Sequence, residues 1–201
     1  YLEYTDDMGH RYGDSQQFYD AVEIMDKQIG RIWQAIEYRQ KEFKEDWVIY
    51  ITTDHGRDAT TGKNHGGQSD RERNTWIITN AKGLNEYFYE QQPGIVDIIP
   101  SLLSWLNINI SRERKMEIDG IPLTGKLSAI KPRAEYANGN IQVSWTALDK
   151  NGSAKIWVCN SNNFKTGGKD NYKLLATVPV TRGMATVDVS KMPADFYKLF
   201  L

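Results

Sequence analysis

Three histidines, each beside an aspartate or a glycine, are the side chains of this sequence best suited to chemistry. Asp6 and His10 are four residues apart in Thr5-Asp6-Asp7-Met8-Gly9-His10, a spacing that lets a carboxylate and an imidazole reach one cation. The pattern Asp-x-x-x-His also arises by chance, and a capped, solvated loop accounts for it without any ligand. Asp54-His55-Gly56 follows the apolar run Trp47-Val48-Ile49-Tyr50-Ile51, so a hydrophobic strand delivers two metal-competent side chains to a rim. Turns of this kind also end strands for conformational reasons alone. His65 stands before Gly66-Gly67, whose lack of side chains suggests backbone held close to another group. None of the three histidines lies on an apolar face, and their combination with carboxylates suits Zn²⁺ first, with manganese or iron left open.

The elements that must position these residues read as follows. Residues 1–4 are short and aromatic, which predicts a strand running into the loop that carries Asp6. From Ser15 to about Phe43, apolar residues at Phe18, Val22, Met25, Ile29, Ile32, Trp33 and Ile36 keep helical spacing, with Asp14 or Ser15 as the cap. Residues 47–51 are apolar without alternation, which predicts a strand buried on both faces of a parallel sheet, and Trp76-Ile77-Ile78-Thr79 repeats the pattern after a Gly-rich, charged loop. Strand, helix, strand is the order of a layered α/β domain whose functional groups gather beyond the carboxyl ends of the strands, where Asp6 and Asp54 would both fall. A further helix beginning near Asp97 would place Pro100 in its first turn. After residue 125 the texture changes to short alternating runs separated by Asn, Gly, Asp and Lys, which predicts an antiparallel sandwich starting near Ala129.

Three stretches in this order, Tyr4-Thr5-Asp6-Asp7-Met8-Gly9-His10-Arg11-Tyr12-Gly13, Thr53-Asp54-His55-Gly56 and His65-Gly66-Gly67, resemble the alkaline phosphatase superfamily, most closely its type I phosphodiesterase / nucleotide pyrophosphatase branch. Val96-Asp97-Ile98-Ile99-Pro100-Ser101-Leu102-Leu103 and Asp119-Gly120-Ile121-Pro122-Leu123 look like the helix and loop that close the catalytic domain of that superfamily. The resemblance implies a two-metal phosphoester hydrolase in which Asp6, His10 and His65 bind one divalent ion and Asp54 and His55 the other. It also implies that a Ser or Thr nucleophile and one more metal-binding Asp come from strands preceding Tyr1, so that residues 1–201 alone would be inactive. Thr52, Thr53, Thr60 and Thr61 do not match the position of that nucleophile, and Arg57 is the basic residue placed to touch substrate. The short step from His55 to His65 departs from nucleotide pyrophosphatases, which carry an insertion there that shapes the nucleotide pocket. A sulfatase would be expected to hold one calcium with a mostly carboxylate and amide set, which the histidines argue against.

The expected architecture is α/β, with residues 1–127 as the C-terminal part of an alkaline-phosphatase-like three-layer α/β/α domain. Residues 128–201 form a small all-β sandwich similar in texture to a fibronectin type III or immunoglobulin-like module. With 25 basic and 26 acidic residues, a net charge of −1 gives no footprint for nucleic acid, and a small phosphorylated substrate fits better. No run approaches a membrane span. The one cysteine, Cys159, leaves no room for an internal disulfide. Exported bacterial hydrolases often carry such a sandwich, so a periplasmic or cell-surface location is expected, with glycan or protein contact through the sandwich. The rivals are a phosphonate hydrolase or phosphoglycerate-mutase-like relative, and a non-catalytic surface protein that keeps the metal loops as scaffold.

Overall fold

The computed structural model describes residues 1–192 and 194–201, which fall into two compact units, Tyr1–Lys82 and Gly83–Leu201. The first unit opens on a helix, α1 (Tyr4–Tyr12), where the aromatic run at 1–4 predicted a strand. Charge placement explains the outcome: Asp6 and Asp7 lie in the first turn and His10 and Arg11 in the last, each sign at the end of the helix dipole that favours it. Four residues of β-prone sequence are too few to outweigh that arrangement. The second helix, α2 (Gln16–Phe43), begins where expected, with the Ser15 hydroxyl accepting from the Phe18 amide at 3.3 Å. It packs against α1 and buries Ala21, Met25 and Ile36, while Val22, Ile32 and Trp33 of the same apolar stripe stay exposed.

The strand expected over residues 47–51 is shorter and differently paired. Strand β1 (Tyr50–Thr52) runs antiparallel to β2 (Ile77–Thr79), with the one-turn helix α3 (Asp70–Arg73) between them, so the parallel pairing inferred from the apolar run is not what forms. Side chains take over the backbone groups just before β1. The Asn80 amide accepts from the Ile49 amide at 2.8 Å and donates to the Trp47 carbonyl at 3.0 Å, and the Thr79 hydroxyl donates to the Ile49 carbonyl at 2.7 Å. These bonds satisfy main-chain groups that a regular ladder would otherwise have to pair.

The second unit begins with α4 (Glu86–Glu90), a 3₁₀ turn at Ile95–Asp97, α5 (Ile98–Trp105) and α6 (Arg112–Lys115). Pro100 lies in the first turn of α5, where its missing amide hydrogen is not needed. Buried Asp97 accepts from the amides of Gly94 and Ile121, both at 2.8 Å, and buried Ser101 passes a bond from the Leu123 amide at 2.8 Å to the Asp97 carbonyl at 2.6 Å. The helix and the loop after α6 are thereby one hydrogen-bonded piece.

Six strands follow, four of them (β4 to β7) on the alternating runs: β3 (Ala129–Ala137), β4 (Asn140–Ala147), β5 (Ser153–Cys159), β6 (Lys173–Pro179), β7 (Met184–Asp188) and β8 (Lys198–Phe200). All pairings are antiparallel, in two three-stranded sheets ordered β3-β4-β7 and β6-β5-β8. Period-two burial is plain in β4, where Ile141, Val143 and Trp145 point inward, and in β5, where Ala154, Ile156 and Val158 do so. These six share one core with Val180, Ala185, Val187 and Val189, and the Trp145 indole donates to the Val180 carbonyl at 2.7 Å. Lys198 of β8 bonds both Glu117, after α6, and the wholly buried Asp170 carboxylate, the latter at 2.8 Å. Burial pushes the Asp170 carboxyl up, but the Lys198 ammonium and three further hydrogen bonds outweigh it and hold the group below the usual carboxylate range. Among the described residues no helix is long and apolar enough to cross a membrane.

Ile156 is 1% exposed in this core, whereas Ile78 of β2 is 59% exposed. Ile156→Ala is therefore expected to lower the free energy of unfolding by about 2–5 kcal/mol. Ile78→Ala should stay within about 0.5 kcal/mol of the parent. Urea unfolding of the two variants checks this, and equal effects would show that the shared core is not where stability resides.

Candidate metal centre

Asp6 and His10 sit at i and i+4 on α1, so helical geometry alone puts them on one face about one turn apart. His65 comes from the loop between β1 and α3, 55 residues further along the chain, yet its Nε2 lies 3.1 Å from Nε2 of His10. Asp6 completes the group, with Oδ2 at 3.5 Å from His10 Nε2 and Oδ1 at 3.9 Å from His65 Nε2. The strand end expected to carry Asp6 is thus replaced by a helix face, and the convergence expected of the three residues is present.

Loop residues reach this point because carboxylates organise their backbone. Asp58 accepts from the amides of Thr60, Thr61 and Asn64 at 3.0, 2.7 and 2.8 Å and from the Thr61 hydroxyl at 2.9 Å. These bonds hold its carboxyl well below the usual carboxylate range. Beyond His65, the Glu72 carboxylate accepts from the Gly67 amide at 2.9 Å and closes a capping box with Ser69 at the start of α3. Arg71 donates to both oxygens of Asp14, at 2.8 and 2.6 Å, and to the Asp58 carbonyl at 3.1 Å, tying the loop to the α1–α2 junction. Gly13 at that junction has φ of 66°, and a Cβ there would lie 2.1 Å from the Thr61 carbonyl oxygen, so no other residue fits the approach.

Chemically, two imidazole nitrogens 3.1 Å apart cannot both present lone pairs without a proton or cation between or beside them. Tetrahedral zinc with bonds near 2.0–2.2 Å separates its ligand atoms by roughly 3.4 Å. The histidine nitrogens at 3.1 Å and Asp6 Oδ2 at 3.5 Å from His10 Nε2 lie close to that value, and one ligand atom from each of Asp6, His10 and His65 lies within 4.8 Å of the other two, so the three can gather on such an ion. Among the described residues this is the one group of three ligating side chains that converges.

Asp54 and His55 lie beside it. The His55 ring stacks on His65, with centroids 4.0 Å apart and planes 26° from parallel, and its Nε2 is 3.5 Å from Asp54 Oδ2. His55 Nδ1 lies 2.9 Å from the Gly56 carbonyl, an acceptor, so Nδ1 carries the proton and Nε2 is left with its lone pair. No third ligating side chain joins this pair among the described residues. Arg57 is turned inward: it donates to the Asp6 carbonyl at 2.8 Å, to the Asp6 carboxylate and to the Lys63 carbonyl at 3.2 Å. The Thr52, Thr53 and Thr61 hydroxyls donate to neighbouring backbone or to Asp58, which leaves none of the three aimed at the histidines. Asp58 was not singled out in the sequence, Asp14 only as a candidate helix cap and Arg71 only as part of a charged loop; Asp58 with Thr60 and Thr61 after it has the composition of an Asx-type turn, and that was the available signal.

If the Asp58 carboxylate holds the loop, Asp58→Ala should remove hydrogen-exchange protection at the Thr60, Thr61 and Asn64 amides. The parent should keep that protection unchanged from pH 7 to about 5. A carboxyl with a lowered folded pKa contributes fully above its unfolded value near 3.9 and loses its contribution as pH falls through the folded one. Protection that survives in Asp58→Ala would mean that the loop is held by other groups.

The family model for type I phosphodiesterase / nucleotide pyrophosphatase matches residues 1–173. No curated protein and no solved structure matches the chain significantly. The match spans α1, the histidine-bearing loops and the strands up to the start of β6, well beyond the first 125 residues that the motifs alone cover. By that coverage the chain belongs to the type I phosphodiesterase / nucleotide pyrophosphatase family, a family of phosphodiesterase- and pyrophosphatase-type hydrolases.

Proposed function

We propose that the protein is a metal-dependent phosphoester hydrolase acting on small phosphodiesters or phosphomonoesters, with Asp6, His10 and His65 as ligands of one divalent ion. The observation that carries this reading is the meeting of His10 and His65 with Asp6 across 55 residues of chain. Asp54 and His55 are proposed for a second ion, supported by the stacking of His55 on His65 and by the free lone pair on His55 Nε2. Zinc is the first choice for both, because hard carboxylates mixed with neutral imidazoles are its usual donor set. When bound, the two ions would supply Lewis-acid polarisation of the phosphoryl oxygens and stabilise attacking and leaving oxygens alike.

The chain's own residues do the rest. His10 and His65 present Nε2 toward a common point, and Asp6 adds a negative charge that offsets part of the charge of a dication. The Gly56 carbonyl accepts from Nδ1 of His55, and in the neutral ring that bond directs Nε2 toward a ligand. A nucleophile and one more carboxylate are proposed to come from the strands that the family resemblance places before Tyr1. The two three-stranded sheets with a shared core support a fibronectin type III-like module at 128–201, and that module supports a periplasmic or cell-surface setting.

The protein carrying those preceding strands, loaded with Zn²⁺, should hydrolyse a chromogenic phosphodiester or phosphomonoester over many turnovers. His10→Ala should lower kcat/KM by more than the roughly 10–100-fold that loss of an outer hydrogen-bond partner costs. Stoichiometric metal without turnover of phosphodiester, phosphomonoester or phosphonate substrates would instead identify a metal-binding scaffold.

A further inference from the structure

Arg57 is a cation placed against a cluster built to receive one, and the two effects of that placement oppose each other. Coulomb repulsion between a guanidinium and a dication a few ångströms away weakens metal binding. Orientation of the ligands strengthens it. The structure shows which parts Arg57 orients. Its side chain is only 11% exposed, and it engages three acceptors. Two belong to Asp6 on α1, the main-chain carbonyl at 2.8 Å and carboxylate oxygen Oδ1. The third is the carbonyl of Lys63, at 3.2 Å and two residues before His65. One planar group therefore joins the helix that carries Asp6 and His10 to the loop that carries His65. By occupying Oδ1 it also leaves Asp6 Oδ2 as the oxygen facing His10, at 3.5 Å.

A second observation comes from Gly9, buried in α1 between the ligands Asp6 and His10. A Cβ built on Gly9 would lie 2.3 Å from Cζ, 2.4 Å from Nε and 2.7 Å from Nη2 of Arg57. The helix thus lacks a side chain at the position where the guanidinium crosses it. A surface ion pair would not require that; exposed Arg–carboxylate pairs form without clearance of this kind.

We propose that Arg57 is the positioning residue of this centre: it orients the Asp6 carboxylate and sets the distance between the His10-bearing helix and the His65-bearing loop, with Gly9 providing its passage. This rests on the reading of Asp6, His10 and His65 as metal ligands. It assigns Arg57 to the ligands rather than to substrate, the role its place beside Asp54-His55-Gly56 suggests from sequence alone.

The test is Zn²⁺ affinity of the whole chain, measured by competition with a chromogenic chelator, beside the melting temperature of the zinc-free protein. Arg57→Ala should weaken binding by roughly 10–100-fold, the range for partners that orient a ligand, in a zinc-free chain that still unfolds cooperatively. Arg57→Lys keeps the charge but cannot span Asp6 and Lys63 as a fork, so it should restore little. Gly9→Ala displaces the guanidinium without removing it and should weaken binding to a similar extent, and the double variant Gly9→Ala/Arg57→Ala should be no weaker than Arg57→Ala alone. Gly9→Ala also carries the test if Arg57→Ala fails to fold. Unchanged or tighter binding in Arg57→Ala, with binding still abolished by His10→Ala, overturns the role of Arg57 and leaves the metal centre standing. Absence of zinc binding in the parent chain overturns both.

Discussion

The Asp58 carboxylate is the fixed point of the first unit. A loop of more than twenty residues between β1 and β2 has no apolar core of its own, and an irregular segment of that length is ordinarily mobile. Here one ionised side chain gathers the Thr60, Thr61 and Asn64 amides, so the backbone turns sharply just before His65. Arg71 bonds the Asp58 carbonyl and the Asp14 carboxylate, and that second tie anchors the turn to the end of α1. The position of His65 relative to His10 follows from these bonds. Hydrogen bonds to charged groups are about twice as strong as neutral ones, which suits a site that hydrophobic burial cannot organise.

The second unit is organised differently. Ten buried residues, from three strands (β4, β5 and β7), the turn at Val180 and Val189 just after β7, form one apolar cluster, and a polar link joins β8 to the helical segment before the strands. Asp97 and Ser101 are spent on the amides of Gly94, Ile121 and Leu123, so α5 and the loop after α6 share hydrogen bonds that water cannot replace. Lys198 between Glu117 and Asp170 does the same for β8. Removing one partner of such a buried set costs more than the set itself contributes, because the remaining charge is left unpaired. The two units therefore rely on different physics: ionic hydrogen bonds around exposed loops in one, apolar burial with a few fully paired charges in the other.

Family membership and site geometry carry different parts of the functional reading. Membership gives the reaction class, hydrolysis of the phosphodiesterase and pyrophosphatase type. Geometry gives the grouping of side chains: Asp6, His10 and His65 at one point, His55 stacked beside it with Asp54, and Arg57 folded into the ligand framework. Each loop in this arrangement is short of apolar residues and rich in groups that bond the backbone, as a site that must bind a hydrated ion and an anionic substrate requires.

The sequence by itself brought out the candidate ligands, because three patterns that are weak singly occur together in one order, and it determined α2 and strands β4 to β7, because their apolar periodicity is readable. Short segments were not legible in the same way. Residues 1–4 have strand propensity but belong to the start of a helix whose dipole is matched by charges further along, and residues 47–51 look like a buried parallel strand but pair only from Tyr50, antiparallel, with Asn80 and Thr79 satisfying what precedes. Local apolar runs report burial, not direction or partner. Only the tertiary structure decided that His65 meets His10 and that Arg57 points inward onto Asp6. Those facts depend on hydrogen bonds between residues more than fifty positions apart, and no local pattern encodes them.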